Sequence, residues 1–300
     1  MDAITTGDNN TAMGFDAMGA NTTGAANVSV GKDALKANTT ASYNIAVGFE
    51  AMTANTTGTR NLAIGKSAYT ASDTENDNLA IGYEAMGTNT AGGTQNIAIG
   101  NYAGDALTSA DNNTIIGYNA GTAITTGGSH VAIGRHALKT VTTVTDCVAV
   151  GMHALEANTV SATTAIGSYS LYKNTTGTGN TGVGYTTLEE NTTGSDNTAV
   201  GSDALDANTT GANNTAVGQQ ALSANTTAND NTAVGKNTML TNTEGYSNTA
   251  IGIYSLRQNT TGDNNVAVGQ SALLNNTTAN ENVAVGYNSA YNNTTGTRII

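Results

Sequence analysis

The residue types that most often bind transition metals are concentrated in one short part of the sequence. All three histidines and the single cysteine lie between residues 130 and 153. His136 and His153 are 17 residues apart, and so are His130 and Cys147. Imidazole and thiolate groups are good metal ligands, but no spaced ligand motif accompanies them. We therefore favour chance substitution over metal binding and predict no cofactor, with His136 and His153 as the candidate ligands if a metal binds.

Carboxylates could act as general acids and bases, and the sequence contains 22 of them. They are scattered, and no pair recurs at one phase of the repeat described below. No nucleophile is placed beside a base, and no glycine-rich loop precedes a helix. A glycan-cleaving spike would need a carboxylate pair in a groove, and we identify none. The sequence predicts a protein that is not an enzyme.

Tyrosines are the other candidates, because exposed tyrosine is a common contact residue in recognition surfaces. Several tyrosines follow a recurring glycine by one or two residues, at positions that otherwise hold mainly polar residues such as Lys, Asp, Gln and Ser. We expect them to face solvent, although rings that only cover neighbouring coils would give the same pattern. The candidate recognition residues are Tyr83, Tyr102, Tyr118, Tyr169, Tyr185, Tyr254 and Tyr287.

These residues belong to an internal repeat, which must be identified before the fold is assigned. The phrase Asn-x-Ala-Val/Ile-Gly or a close variant recurs seventeen times, with a spacing of 17 residues broken once by 18 and once by 16. Its glycines are Gly14, Gly31, Gly48, Gly65, Gly82, Gly100, Gly117, Gly134, Gly151, Gly167, Gly184, Gly201, Gly218, Gly235, Gly252, Gly269 and Gly286. We predict an all-β β-solenoid of about 17 coils, one coil for each copy.

A typical copy runs from Asn197 to Asn213, and we number its positions 1 to 17. Positions 2 and 4 are β-branched or apolar, and position 3 between them is almost always Ala. Since residues i and i+2 share a face of a strand, we predict a strand with positions 2 and 4 in the core and position 3 on the opposite face.

The rest of the coil is predicted from its turn chemistry. Gly at position 5 ends the strand with a bend that a Cβ would hinder. Ala-Leu at positions 8 and 9 is interpreted as a second short strand with Leu in the core, and a single helical turn is the alternative. Asn-Thr-Thr-Gly at positions 12 to 15 is a turn. Stacked coils should align the asparagines of positions 1 and 12 into hydrogen-bonded ladders.

The segment Asn44-Ile45-Ala46-Val47-Gly48-Phe49-Glu50-Ala51 and its sixteen partners resemble the head repeats of trimeric autotransporter adhesins, the left-handed parallel β-roll of the YadA-like type. They are also similar to arrays in phage tail-fibre proteins. The resemblance covers nearly the whole chain and implies a homotrimer in which a small-residue face meets the neighbouring chains. The departure is coil length, because the family heads usually have shorter coils.

The alanines of position 3 fit such an interface, because a row of methyl groups tolerates close contact between strands. The weaker alternative is that this face packs inside its own chain, with positions 2 and 4 turned outward. The predicted trimer-interface residues are Ala46, Ala63, Ala80, Ala98, Ala199, Ala216, Ala233, Ala250, Ala267 and Ala284.

Charge limits the choice of partners. The net charge is −12 with only 10 Lys and Arg, so we expect neither nucleic acid nor insertion into a membrane. Residues 1–300 are predicted to form a single repeat array, with atypical coils at about 100–167 that we interpret as drift. We expect the chain to act outside the cell, on a cell surface or a virion fibre.

The leading functional hypothesis is a non-enzymatic structural and adhesive fibre segment. Its 17 coils would form a rod about 80 Å long at a strand spacing near 4.8 Å, carrying or forming a face that binds a surface receptor, glycan or matrix protein. The alternative is an ice- or crystal-surface binder that uses stacked Thr rows from Asn-Thr-Thr. Leu107, Ile124 and Val141 interrupt the turns beside those rows and argue against it.

Overall fold

The chain folds into a parallel β-solenoid of about 16 turns. The computed structural model describes residues 5–88 and 92–299, which contain seventeen strands of three residues and no α-helix. None of these residues forms a helix that could cross a membrane. The strands are β1 (Thr11–Met13), β2 (Val28–Val30), β3 (Ile45–Val47), β4 (Leu62–Ile64), β5 (Leu79–Ile81), β6 (Ile97–Ile99), β7 (Thr114–Ile116), β8 (Val131–Ile133), β9 (Val148–Val150), β10 (Thr164–Ile166), β11 (Thr181–Val183), β12 (Thr198–Val200), β13 (Thr215–Val217), β14 (Thr232–Val234), β15 (Thr249–Ile251), β16 (Val266–Val268) and β17 (Val283–Val285).

The chain forms two compact units, Met1–Ala149 and Val150–Ile300. In the first unit, β1 to β8 pair in sequence order, each parallel to the next and in register, so that Ala46 lies beside Ala63. In the second unit, β10 to β17 pair in the same way, and Ala216 lies beside Ala233. The same repeat position therefore forms a continuous row along each unit.

The strand faces the other way from the prediction. Position 3 is buried in β2 to β17, whereas positions 2 and 4 are half-buried or exposed in every strand. The interior is too narrow for more than small residues on the strand, because the Leu of position 9 and two rows of Asn already fill it. The alternative with positions 2 and 4 turned outward is the observed one.

The glycine of position 5 has the role that the sequence predicts. Gly201 has a φ of +122°, a backbone conformation that side-chain-bearing residues rarely adopt. A Cβ at this place would lie 2.7 Å from the carbonyl carbon of Gly218 in the next coil. Since both the torsion and the close approach exclude a side chain, glycine recurs once in each coil.

The segment after this glycine is neither the predicted second strand nor the alternative helical turn. Positions 6 to 11 form a continuous turn in which positions 7 and 9 are left-handed, with φ of 58° at Asp203 and 50° at Leu205. Its amides still bond to adjacent coils, as from Leu205 N to Ala221 O at 3.1 Å. The left-handed backbone turns the leucine inward, and the prediction that it fills the core is confirmed.

The predicted asparagine ladders are confirmed. At position 1, Oδ1 of Asn197 accepts the backbone N–H of Asn214 at 3.0 Å, and its Nδ2 donates to Gly211 O at 2.8 Å. At position 12, Nδ2 of Asn208 donates to Oδ1 of Asn191 at 2.8 Å and to Gly211 O, which closes its own turn. These asparagines are completely buried, and the ladders satisfy polar atoms that would otherwise be costly to bury.

The atypical coils of the first unit have a different but equally filled core. Where position 12 changes from Asn to Leu107 or Ile124, position 9 changes from a large residue to Gly104 or Gly121. A Cβ on Gly104 would lie 2.9 Å from Cδ1 of Leu107 and 3.0 Å from Cδ1 of Ile115. In these coils, large apolar side chains at positions 12 and 3 therefore take the place of the large side chain at position 9, and the core of the coil stays filled.

Candidate binding surface

The alanines predicted as a trimer interface line the interior of their own chain. Ala46, Ala199 and Ala216 are 0% exposed, and the remaining members of the predicted row are equally enclosed, with at most 3% exposure at Ala284. The prediction of their orientation is wrong, because the narrow interior admits the methyl group and excludes the larger neighbours. These side chains have no surface to offer to a second chain.

The surface that the strands do present consists of positions 2 and 4, which we call the outer sheet face. It consists of Val, Ile, Thr and Leu side chains and one Met. Several of its members are exposed, as with Ile45 at 41%, Ile251 at 42% and Val285 at 68%. Parallel sheets are normally covered on both faces, and exposed apolar patches of more than a few hundred Å² are rare on monomers. The outer sheet face therefore has the character of a contact surface.

A second surface follows the residues just after the recurring glycine. In the first unit, the ring centroids of Tyr83 and Tyr102 are 5.2 Å apart, those of Tyr102 and Tyr118 6.3 Å, and those of Tyr118 and His136 6.0 Å. We call these four residues the aromatic row. Because positions 6 and 7 stack in register, four successive coils each contribute one ring, and Tyr118 is 49% exposed.

The aromatic row continues into charged side chains towards β2. Lys66 Nζ lies 5.3 Å from the ring centre of Tyr83 and 5.9 Å from that of Phe49, and Lys32 Nζ lies 5.4 Å from Phe49. These are cation–π contacts. They hold the rings against neighbouring coils. The same residues therefore cover neighbouring coils and also face solvent.

The second unit has its own group of rings. His153 stacks on Tyr169 with centroids 5.1 Å apart, and Tyr169 contacts Tyr172 at 5.6 Å and Tyr185 at 6.5 Å. Tyr185 is 56% exposed. Tyr254 contacts Arg257 at 5.2 Å, and Tyr287 is exposed near the last strand. The candidate tyrosines of the second unit therefore lie on its surface without forming one row.

The histidines have different surroundings. His136 belongs to the first unit and contacts Tyr118, whereas His153 belongs to the second, where its Nδ1 contacts a carboxylate oxygen of Glu156. Neither histidine's surroundings by themselves show a metal-binding geometry. Metal binding at His136 and His153 stays a prediction.

The pair His130 and Cys147 has a structural role. Nδ1 of His130 accepts the backbone N–H of Cys147 at 3.2 Å, and Nε2 contacts Val144 O at 2.9 Å. These are the two hydrogen bonds that Asn makes at position 1 of other coils, and they require the neutral ring with its proton on Nε2. Burial lowers the pKa of His130, which favours the same form. The histidine therefore replaces an asparagine of the ladder.

Two carboxylates that sequence reasoning missed are close together in the first unit. Glu84 and Asp105 line one surface depression with Ser67, Thr70, Gly87 and Thr88. Burial raises the pKa of Asp105, and the neighbouring charge of Glu84 raises it further. Hydrogen bonding to Glu84 raises the pKa of Tyr83 to about 12. Glu84 is at position 7 of its coil and Asp105 at position 10 of the next coil. The repeat pattern alone therefore does not indicate that these two side chains lie close together.

Comparison with known protein families finds no family model that matches this chain, and comparison with curated proteins finds no match. The class of protein is therefore defined by its architecture: a parallel β-solenoid with a repeat of about 17 residues.

Proposed function

We propose that the chain is a non-enzymatic structural and adhesive fibre segment, acting outside the cell or on a virion, whose copies assemble through the outer sheet face. The observation that supports this proposal is the row of half-buried and exposed Val, Ile and Thr side chains on that face. Water-exposed β-branched rows favour burial against an equivalent surface, since each buried CH₂ group contributes roughly 0.8 kcal/mol.

The proposed assembly is a homotrimer. The repeats resemble the heads of trimeric adhesins and the arrays of phage tail fibres, and a closed symmetric assembly covers an open face on every copy. The contact surface differs from the row expected from the sequence, because positions 2 and 4, rather than the alanines of position 3, are available. The surrounding coils would then present the aromatic row and the second unit's tyrosines to a receptor.

The mass of the protein in solution tests the assembly. One chain has a mass of 30.1 kDa, so a trimer would have a mass of about 90 kDa. We expect the trimer mass by light scattering at micromolar concentration. A clean monomer under these conditions would overturn the proposal.

A charge on the outer sheet face should separate the copies without unfolding them. In the double variant Val200→Glu, Val217→Glu, two adjacent positions of the outer sheet face become acidic, and their side chains point away from the core. We expect monomers with an unchanged β-type circular dichroism spectrum. The control is Thr210→Glu, Thr227→Glu, which adds the same charge to exposed turn residues of the same two coils and should keep the trimer mass. Equal masses for both double variants would place the contact elsewhere.

A second candidate, binding to ice or a crystal surface, is favoured by one observation. Six successive strands of the second unit, β10 to β15, place Thr at position 2 and Val or Ile at position 4 of the outer sheet face. This row is not the row of turn threonines that the sequence predicts. In those turns, the hydroxyl of the first Thr makes a hydrogen bond within the chain, as in Thr192 Oγ1 donating to Thr209 O at 3.0 Å. Thermal hysteresis of the monomeric protein would support this function, and its absence would exclude it.

A further inference from the structure

Two surface depressions of the first unit meet at one carboxylate. The first is lined by Ser67, Thr70, Glu84, Gly87, Thr88 and Asp105. The second is lined by Tyr102, Asp105, Tyr118, Asn119 and Thr122. Asp105 lines both, so the two depressions adjoin at this residue. We call them together the Asp105 groove, and its lining comes from four successive coils.

One wall of the Asp105 groove is aromatic. Tyr102 and Tyr118 line it directly, with ring centroids 6.3 Å apart and nearly perpendicular planes. Tyr83 contacts the other side of Tyr102 at 5.2 Å, so the ring of Tyr102 is fixed between two others. A tyrosine ring offers an apolar face together with a polar hydroxyl. Such rings fit a ligand that has C–H faces and hydroxyl edges.

The rest of the groove consists of hydrogen-bonding groups suited to hydroxyls. The carboxylates of Glu84 and Asp105 can only accept hydrogen bonds when ionised. The hydroxyl of Thr70 donates to Ser67 O at 2.6 Å, and the hydroxyl of Thr88 donates to Asp105 O. With their protons engaged in this way, both threonine hydroxyls can only accept a further hydrogen bond. A ligand with many O–H donors matches this set.

Charge narrows the class of ligand. The described residues that line the groove carry two carboxylates and no cation. An anionic ligand such as a sialylated or sulfated sugar would be repelled and would find no positive partner among the lining residues. Asp105 lies in a partly desolvated place, where an unpaired charge is disfavoured, and neutral hydroxyls stabilise it by hydrogen bonding without adding charge.

We propose that the Asp105 groove binds a neutral oligosaccharide, with Tyr102 and Tyr118 packing against sugar C–H faces and Glu84 and Asp105 accepting sugar hydroxyls. This inference rests on the proposed adhesive function and gives it a ligand class. The residues that line the groove are not members of the outer sheet face, so the two proposals depend on different side chains.

A glycan array probed with the intact chain tests this proposal. The array carries neutral hexose and N-acetylhexosamine oligosaccharides, their sialylated and sulfated counterparts, and an oligolysine peptide as the cationic alternative. We expect binding to at least one neutral oligosaccharide and none to the anionic forms. Binding only to the anionic sugars or only to oligolysine would overturn the proposal, as would no binding to any neutral sugar at millimolar concentration.

Variants locate the site. Tyr118→Ala removes an exposed ring, and Asp105→Asn keeps the shape of the side chain while removing its charge. We expect each to weaken the affinity for the neutral oligosaccharide at least tenfold in calorimetric titration. The control is Tyr246→Ala, which removes a ring of equal exposure, 49%, outside the groove, and should leave the affinity unchanged. Unchanged affinity in both groove variants would contradict the assignment.

The same samples separate the two proposals. Light scattering of each variant reports assembly, and titration reports sugar binding. A trimer without sugar affinity would reject the Asp105 groove and leave the fibre segment intact. A monomer that binds the neutral sugar would reject assembly through the outer sheet face and leave the groove.

Discussion

At the scale of single residues, the glycine of position 5 has two separate constraints. Its φ lies between +122° and +143° throughout the array, and its Cα hydrogens lie against the backbone of the next coil. The neighbouring position 6 has neither constraint, since it varies between Ser, Gln, Lys and aromatic residues.

We expect Gly201→Val to lower the free energy of unfolding by at least about 2 kcal/mol, because a left-handed valine is strained and its Cβ meets Gly218. The matched control is Ser202→Val, one residue further on, which should change it by less than about 0.5 kcal/mol. Both are measured by urea denaturation. Equal midpoints for the two variants would show that the glycine is not required.

Asp206 is a residue whose charge is unfavourable where it lies. Burial raises the pKa of its carboxyl to about 6, and the charge of Asp203 adds to the shift. Its Oδ1 is buried and has no hydrogen-bond partner among the described residues. The ordinary pKa of this carboxyl is 3.8. Between pH 3.8 and about 6, the carboxyl is therefore protonated in the folded state but has already lost its proton in the unfolded chain.

Asp206→Asn should therefore stabilise the protein in a pH-dependent way. A group with a raised pKa in the folded state contributes stability below its ordinary pKa and loses that contribution as the pH rises through about 6. We expect the melting temperature of the variant to equal that of the wild type near pH 4 and to exceed it at pH 7.5. A difference that is the same at both pH values would refute the proposed titration.

At the scale of the coil, the side chains of positions 9, 12 and 3 fill the same part of the core. The coils with Gly104 and Gly121 contain Leu107 and Ile124 in place of the ladder Asn, with Ile115 between them. Leu is the usual residue of position 9 and adopts the same left-handed backbone there, with φ of 50° at Leu205 against 55° at Gly104. Packing, rather than backbone geometry, therefore selects glycine at position 104.

Gly104→Leu should be destabilising by about 1–3 kcal/mol through overpacking, although Leu is the common residue at this position. In the background of Leu107→Ala, which empties the contacting side chain, the same change should cost much less. The coupling between the two substitutions is measured as a double-mutant cycle from urea denaturation. Additive effects would show that the two side chains do not share a volume.

The asparagine ladder of position 12 is the second feature of this scale. Asn208 joins Asn191, Asn225 and the carbonyl of Gly211 by hydrogen bonds of 2.8–2.9 Å. Removing its amide leaves buried partners without a donor or acceptor. The cost of an unsatisfied buried group is about 1–3 kcal/mol.

We expect Asn208→Ala to lower the free energy of unfolding by about 2–4 kcal/mol, since more than one buried partner is affected. Thr210→Ala, two residues away on the exposed side of the same turn, should be nearly neutral. Thermal melts followed by circular dichroism compare the two. A ladder variant as stable as the surface variant would contradict this role for the amides.

At the scale of the whole molecule, net charge opposes the proposed assembly. Every chain carries −12 and has only 10 basic residues, so bringing copies together brings like charges together. Positions 2 and 4, which form the outer sheet face, contain no charged side chain. Apolar burial then favours association, while long-range repulsion weakens it and is screened by salt.

We expect the trimer to be favoured by salt. Raising NaCl from 0.02 M to 0.5 M should lower the protein concentration at which half of the chains are assembled, as measured by sedimentation velocity. Dissociation on adding salt would indicate an interface of ion pairs, which the outer sheet face does not contain, and would direct the search to another surface.

The sequence by itself determined the coil. The 17-residue period predicts one strand for each copy, and the chemistry of Gly, Asn and Leu predicts the bend, the ladders and part of the core, because these residues have requirements that act within a few positions. The second strand predicted at Ala-Leu is wrong, because left-handed residues such as Leu205 are unusual and no propensity indicates them.

Only the tertiary structure decided which side of the strand is inside. Alternation shows that Ala199 lies opposite to Thr198 and Val200, but either face could point inward. The choice depends on the room left by Leu205 and the two Asn ladders, which only the closed coil defines. Likewise, Glu84 and Asp105 occupy different repeat positions of two successive coils and lie close together because the coils stack, a relation that the repeat pattern does not contain.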